Sequence, residues 1–311
     1  MLGAIIGDIV GSRFEFNNHK SKKFELFTED CSVTDDSIMT LAVAKAIMET
    51  VKSVTPSQRY DFEFHEQLSR QTVKFMQEIG RKYPDSGYGG MFGRWIFSAD
   101  PQPYNSFGNG AAMRVSPVGF FADSEGDTID LANSVTAVSH NHPEGFKGAA
   151  ATAVAIYMAR TGALKSEIRE RIESDYYPLD FTIDQIRPTY RFNETCQETV
   201  PQAIQCFLEA SGFEDAIRNA ISIGGDSDTI AAITGSIAEA YYGIPEDIEA
   251  KALSYLDSCL RQIFDEWAAF LPPQNEQYKL LTKYIGRLAP RTTTADVRLS
   301  DWENFPYREF K

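Results

Sequence analysis

Residues 37–51 read SIMTLAVAKAIMETV, and their spacing decides the fold class. Ile38, Leu41, Ala42, Ala44 and Ile47 fall near one face of a helix, with Lys45 and Glu49 elsewhere. Thr34, Asp35 and Asp36 stand just before the run. There a hydroxyl or carboxylate accepts from unpaired N–H groups, and negative charge suits the positive end of the helix dipole. The same reading predicts helices over Tyr60–Gly80, Thr128–Ser139, Gly145–Thr161, Lys165–Ser174 and Thr199–Ser211. Phe213–Ser222, Thr229–Tyr242 and Pro245–Phe270 follow.

Two of these segments are made of small residues. Gly145–Ala159 is rich in Ala and Gly, and Asp228–Ala240 reads DTIAAITGSIAEA. Small side chains let helix backbones approach closely, so both are expected at the centre of the molecule. Strand-like alternation is confined to short runs such as Lys23–Phe27, KFELF. The patterning therefore predicts an all-α protein, a compact orthogonal multi-helix bundle with long functional loops. Those loops are Tyr83–Gly119, crowded with Gly, Pro, Asn and Ser, and the aromatic stretch Tyr176–Pro201. Unstructured connections this long inside a domain tend to serve function or to be disordered, and their aromatic content argues against disorder.

The 311 residues leave room for two domains of about 150 residues each. No break in composition divides them, so one domain over 1–311 is expected. Residues 287–311 form a polar tail ending in Trp302, Phe305, Tyr307 and Phe310, expected to dock on the body or on a second subunit. With 30 Lys+Arg against 44 Asp+Glu the net charge is -14. A surface that acidic repels a phosphate backbone and excludes broad nucleic-acid binding. A nucleotide-sized ligand in a local pocket stays compatible, as does a hard divalent cation. Cys31, Cys196, Cys206 and Cys259 are widely spaced and form no C-x-x-C pair, which predicts reduced thiols. The start, MLGAIIGDIVG, lacks a basic flank and carries Asp8 within the apolar run, unlike a secretory signal. No apolar stretch reaches the roughly 20 residues that span a bilayer. A soluble, cytoplasmic protein without a membrane partner is expected.

Two short segments carry the chemistry. Thr34-Asp35-Asp36-Ser37-Ile38 and Asp226-Ser227-Asp228-Thr229-Ile230, the latter preceded by Gly224-Gly225, each set two carboxylates and a hydroxyl at a helix start. One acid caps a helix, and taken singly each segment reads most simply as a cap. Two acids in so short a segment exceed that need. If the two starts converge, the crowded carboxylates repel one another unless a cation lies between them. Carboxylate and hydroxyl oxygens select Mg²⁺, Mn²⁺ or Ca²⁺ over zinc or copper, with room for two ions about 3.5–4 Å apart.

The chain resembles the ADP-ribosylglycohydrolases, the family of dinitrogenase-reductase-activating glycohydrolase and the ADP-ribosyl-acceptor hydrolases. The resemblance runs from Gly3 to about Gly243 and rests on Gly3-Ala4-Ile5-Ile6-Gly7-Asp8, Glu15, Thr34-Asp35-Asp36-Ser37, Gly108-Asn109-Gly110-Ala111-Ala112-Met113-Arg114, Ser139-His140 and Gly224-Gly225-Asp226-Ser227-Asp228-Thr229. It implies an all-α fold with a binuclear site for two Mg²⁺ or Mn²⁺ ions. Thr34, Asp35 and Asp36 are then ligands on one side, and Asp226, Asp228 and Thr229 on the other. It also makes Glu15 the mobile acidic residue near the metals, a position otherwise read as a surface carboxylate. Ser106–Arg114 is similar to the loop that holds ADP-ribose. Glycines there admit a ligand close to the backbone and amides can donate to phosphate. Phe107, Gly108, Asn109, Gly110, Met113 and His140 are the substrate contacts this implies. His142 is read as a cap or packing residue, Arg114 as an internal ion-pair partner or a phosphate contact, and Asp8 as structural.

The activity implied is hydrolysis of the glycosidic bond at C1″ of ADP-ribose, freeing it from an ADP-ribosylated protein or small-molecule substrate. Glu15, Asp36 and Asp228 are the candidates for acid–base work and for polarising the water. Two rivals fit the same residues: another binuclear-metal hydrolase acting on a nucleotide or phosphoester, and an ADP-ribose-binding protein that does not cleave. The acceptor and the oligomeric state are not readable from the sequence.

Overall fold

The structure, a computed structural model, describes residues 1–55 and 59–271; the expectation for the tail 287–311 lies outside them. In chain order the helices are α1 (Leu2–Gly11), α2 (Asp35–Ser53), α3 (Phe62–Gly80), α4 (Gly90–Phe97), α5 (Gly110–Met113), α6 (Ser116–Phe121), α7 (Glu125–Thr136) and α8 (Pro143–Arg160). They continue with α9 (Lys165–Asp175), α10 (Ile183–Ile186), α11 (Cys196–Leu208), α12 (Phe213–Ser222), α13 (Ser227–Tyr242), α14 (Glu246–Leu253) and α15 (Ser258–Phe270). No strand occurs among the described residues, and one isolated antiparallel bridge joins Gly108 to Thr195. The all-α expectation holds.

The centre of the molecule is the pair α1 and α13. Gly3, Gly7 and Gly11 recur every four residues and so line one side of α1. A Cβ at Gly3 would collide with the carbonyl of Gly235, one at Gly7 with that of Ala231, and one at Gly11 with the backbone of Asp228. These matched positions run in opposite senses along the two helices, which are therefore antiparallel. At the far end the Met1 amino group pairs with Glu239 Oε2 at 2.6 Å, and Gly3 N donates to the same oxygen at 2.7 Å. At the near end, the end of α1 and the start of α13 meet. Around this pair α8, α11 and α12 pack on α13, and α2 is flanked by α3 and α15. The small residues of α8 and α13 are buried along their length, as expected of central helices.

Four sequence expectations are corrected. Lys23–Phe27 is irregular chain rather than strand, because no second strand lies beside it; Arg218 Nη1 instead donates to the carbonyls of Lys22 and Phe24 at 2.9 and 2.8 Å. Pro245–Phe270 is two helices, broken where the Asp257 carboxylate caps α15 by accepting from Cys259 N and Leu260 N, both at 2.9 Å. Tyr83–Gly119 is not structureless: it contains α4, α5 and most of α6. The aromatic stretch Tyr176–Pro201 likewise holds α10 and the first turn of α11.

Candidate active site

Three helix termini converge at the near end of α1. Asp8, inside α1, is wholly buried. Its Oδ2 accepts from Thr34 N at 3.0 Å and Ser37 N at 3.1 Å, its Oδ1 from Thr34 Oγ1 at 2.5 Å, and Ser37 Oγ also donates to it. Asp8 thus acts as a remote cap that ties the start of α2 to α1, the structural role expected of it. It also belongs to the acidic centre, which was not foreseen. One carboxylate oxygen each of Asp8, Asp36 and Asp228 lie within 4.8 Å of one another, and so do oxygens of Glu15, Asp226 and Asp228. Asp228 is common to both groups. The two acidic segments meet directly where Thr229 Oγ1 donates to Asp36 Oδ2 at 3.2 Å. Asp36 Oδ1 is buried with no partner.

The turn that delivers Asp226 and Asp228 needs its glycines. Gly224 and Gly225 have φ of +67° and +81°, the left-handed region that suits glycine. A side chain would also strike Asn18 at the first and the Tyr190 ring at the second. Asn18 Oδ1 instead accepts from Gly225 N at 3.0 Å. Asp226 then starts α13 and accepts from Asn109 Nδ2 at 2.6 Å. Thr34 caps α2, its hydroxyl bonded to Asp8. Asp35 is half-buried beside Gly87, with its backbone N donating to Ser86 O at 2.8 Å. It lies outside the two tight groups but feels Asp8, Asp226 and Glu15.

The electrostatics follow from burial. Desolvation first, and neighbouring carboxylates second, hold Asp35, Asp36 and Asp228 well above the usual carboxylate range. Burial also raises Asp8 and Asp226, partly offset by their hydrogen bonds. Glu15, half-buried, is pushed up to about 7 by burial and then by Asp226, Asp8 and Glu194. No ion pair among the described residues reaches any of these six acids. A crowd of oxygen donors with no basic side chain and one orphaned buried oxygen fits hard divalent cations.

The glycine-rich loop lies alongside. It is pinned to the stretch before α11 by Asn109 N to Glu194 O at 2.7 Å, Cys196 N to Phe107 O at 3.0 Å and Cys196 Sγ to Gly108 O at 3.1 Å. Gly108 N donates to Ser106 Oγ at 3.1 Å, and the amides of Ala111, Ala112 and Met113 bond within the turn. The loop therefore offers close approach at its glycines more than a set of free amides. Phe107 is 44% exposed, while Asn109, Met113 and His140 are buried. His140 Nε2 faces the loop: it would lie 3.2 Å from a Cβ at Gly110 and 3.6 Å from one at Gly108. His142 is a cap, its Nδ1 accepting from Glu144 N at 3.1 Å at the start of α8. Arg114 is not the ion-pair partner that was one of its two readings: its bonds run to Ser139 and His140. Two open surface grooves lie elsewhere, one beside Phe62, His65 and Phe146, the other beside Lys20, Lys22 and Arg187.

Sequence reasoning missed Asp8 as a member of the cluster, the Asn109–Asp226 link and Glu194. A single carboxylate in an otherwise apolar, buried helix was the available signal for Asp8, since such a group persists only when partnered.

An all-helical scaffold that gathers buried carboxylates at three helix ends, against a glycine-rich loop, has the equipment of a hydrolytic enzyme. The chain belongs to the ADP-ribosylglycohydrolase family, whose profile matches residues 1–278, and is a glycosidic-bond hydrolase of that family. It is 25% identical to ADP-ribosylhydrolase ARH3 of Xenopus tropicalis, over 83% of this chain and 91% of that protein. Against the Homo sapiens ARH3 the identity is 26%, over 83% and 87%. ADP-ribosylarginine hydrolase Tri1 of Pseudomonas putida (strain GB-1) is 27% identical over 55% of this chain and 48% of its own. A solved structure described as an ADP-ribosylglycohydrolase-related protein complex shares the fold, with a TM-score of 0.57 and 21% identity over 84% of this chain and 95% of that one. No helix among the described residues is long and apolar enough to cross a membrane.

Proposed function

We propose that this chain hydrolyses the glycosidic bond at C1″ of ADP-ribose, releasing ADP-ribose from a modified acceptor, with Mg²⁺ or Mn²⁺ held by the acidic centre. The observation that carries this reading is the cluster of buried carboxylates, none of them in an ion pair among the described residues, joined through Asn109 to the glycine-rich loop. The relatives named above, ADP-ribosylhydrolases by name, support the substrate.

Thr34, Asp35 and Asp36 would hold the cations from one side and Asp226, Asp228 and Thr229 from the other. Bound there, divalent cations supply Lewis acidity and a charge that activates water and orients sugar hydroxyls. The remaining work falls to the chain. Gly108 and Gly110 admit the ligand to the backbone, and the exposed face of Phe107 suits stacking on a base. Asn109 spends its amide on Asp226, which couples the substrate loop to the acidic centre. Cleavage at C1″ builds oxocarbenium character and places charge on the leaving atom. Glu15, half-exposed beside Asp226 and Asp228, gives its proton to that atom and then accepts one from the attacking water. Asp36 and Asp228 orient that water.

Asp35→Asn and Asp226→Asn test the assignment. Both should abolish ADP-ribose release from an ADP-ribosylated peptide while the far-ultraviolet circular dichroism stays helical. Undiminished release by both variants would remove the acidic centre from the mechanism.

A further inference from the structure

Arg114 is wholly buried, yet it makes no ion pair. Its Nη2 donates to Ser139 Oγ at 2.7 Å and approaches His140 Nδ1 at 3.4 Å; its Nε and Nη1 have no hydrogen-bond partner. A buried cation with no ion-paired counter-charge is costly, and the aromatic face of Phe92, 5.2 Å from the guanidinium carbon, and the more distant charge of Asp35 offset only part of that cost.

We propose that Arg114, acting through Ser139, is a positioning residue that holds His140 in the tautomer bearing its proton on Nε2 and aims that N–H at the Gly108–Gly110 loop. Guanidinium nitrogens only donate. Ser139 Oγ therefore accepts from Arg114, which leaves its own proton to donate to His140 Nδ1, 2.9 Å away. Arg114 Nη2 points an N–H at the same ring nitrogen. A proton on Nδ1 would face the Arg114 N–H and compete with the hydroxyl's own proton, so Nδ1 is the bare nitrogen and Nε2 carries hydrogen. Nε2 is the atom that faces Gly108 and Gly110. The ring cannot turn away easily, because Tyr104 and Phe92 stand 5.8 and 6.2 Å from it and Phe92 is stacked on Trp95. Burial, and then the charge of Arg114, also keep the imidazole well below its ordinary pKa, so the ring stays neutral.

The site thus gains a fixed neutral donor at the lip where a ligand oxygen would approach. That last use rests on the ADP-ribose reading above; the tautomer does not.

Nitrogen-15 imidazole NMR reads the tautomer directly in the full chain, which has only four histidines, His19, His65, His140 and His142. His140→Asn identifies the signal. The wild type should show Nε2 protonated and Nδ1 bare from about pH 5 to about pH 8, the range over which an ordinary histidine titrates. Ser139→Ala should release the ring into a mixture of tautomers and weaken ADP-ribose binding about tenfold, as loss of an orienting partner commonly does. Arg114→Met should do the same if it folds; Ser139→Ala and the wild-type spectrum decide the matter if it does not. A proton on Nδ1, or an imidazolium at neutral pH, would overturn the proposal, as would a Ser139→Ala protein with unchanged tautomer and affinity. A wild type with the expected tautomer that binds no ADP-ribose would support the relay and fail the ADP-ribose reading.

Discussion

Asp36 Oδ1 is buried without a partner while Oδ2 accepts only from Thr229, so Asp36 retains most of its capacity to bind an ion. Asp36→Asn removes charge at nearly constant shape and should lower ADP-ribose release at least about 100-fold, the scale expected when a group that stabilises the reaction's charge is lost. Calorimetric Mg²⁺ titration should show weakened binding in the same variant. Glu15 differs. It is half-exposed and stands beside Asp226 and Asp228, a place that suits proton transfer, so Glu15→Gln should lower turnover by about 100-fold and leave ADP-ribose affinity within a few-fold. Equal losses of turnover and affinity would make Glu15 a binding residue. Both acidic segments were legible in the sequence because each offers more carboxylate than a cap uses. Arg114 was not: an arginine in a sequence does not reveal that its partners are a serine and a histidine.

Helix α1 lies against α13 so closely that single methyl groups matter. Gly7→Ala would drive a Cβ into the Ala231 carbonyl, and backbone cannot step aside as a side chain can. It should cost roughly 3 kcal/mol or more, at the upper end of overpacking penalties, read as a lower urea midpoint. Gly90→Ala, with nothing within 4 Å of the added carbon, should stay within about 0.5 kcal/mol of the wild type. Because α1 also carries Asp8 to the start of α2, Gly7→Ala should impair activity before it unfolds the protein. This helix was invisible to periodicity: it is buried on all sides, and a helix without a polar face has no 3.6-residue signal to detect. The longer amphipathic helix α3 was legible for the opposite reason. The break between α14 and α15 was written locally, as the Asp257 cap, within a run whose overall pattern looked continuous.

At the scale of the whole molecule, folding forces six carboxyl groups into one volume with no compensating base. In the cation-free protein the acids with raised pKa bind more protons folded than unfolded. Their contribution to stability is complete below the unfolded carboxylate range and is lost as pH rises through the folded values, about 7 for Glu15. Chelated protein should therefore melt at a higher temperature at about pH 5.5 than at about pH 8. Mg²⁺ should reverse the trend, giving its largest stabilisation at the higher pH. At about 100 times its dissociation constant an ion bound only by the folded state contributes about 2.7 kcal/mol. A chelated protein that grows steadily more stable toward pH 8 would mean that the acids are not strained against one another. The net charge of -14 identified an acidic protein. It did not show that six of the acids share one site, because convergence of residues 8, 15, 35, 36, 226 and 228 is a property of chain topology. The family resemblance anticipated the meeting of Glu15 with the two acidic segments, and the place of Asp8 in it was not foreseen.

Cleavage of ADP-ribose from an acceptor by this acidic centre should depend on divalent cations. The most direct measurement is ADP-ribose released from arginine- and serine-ADP-ribosylated peptides by the purified protein, with Mg²⁺ or Mn²⁺ and with a chelator. Release from at least one peptide that stops on chelation and returns with added metal is the predicted result. Release at the same rate in the chelator, or none from either peptide together with no measurable ADP-ribose binding, would contradict it.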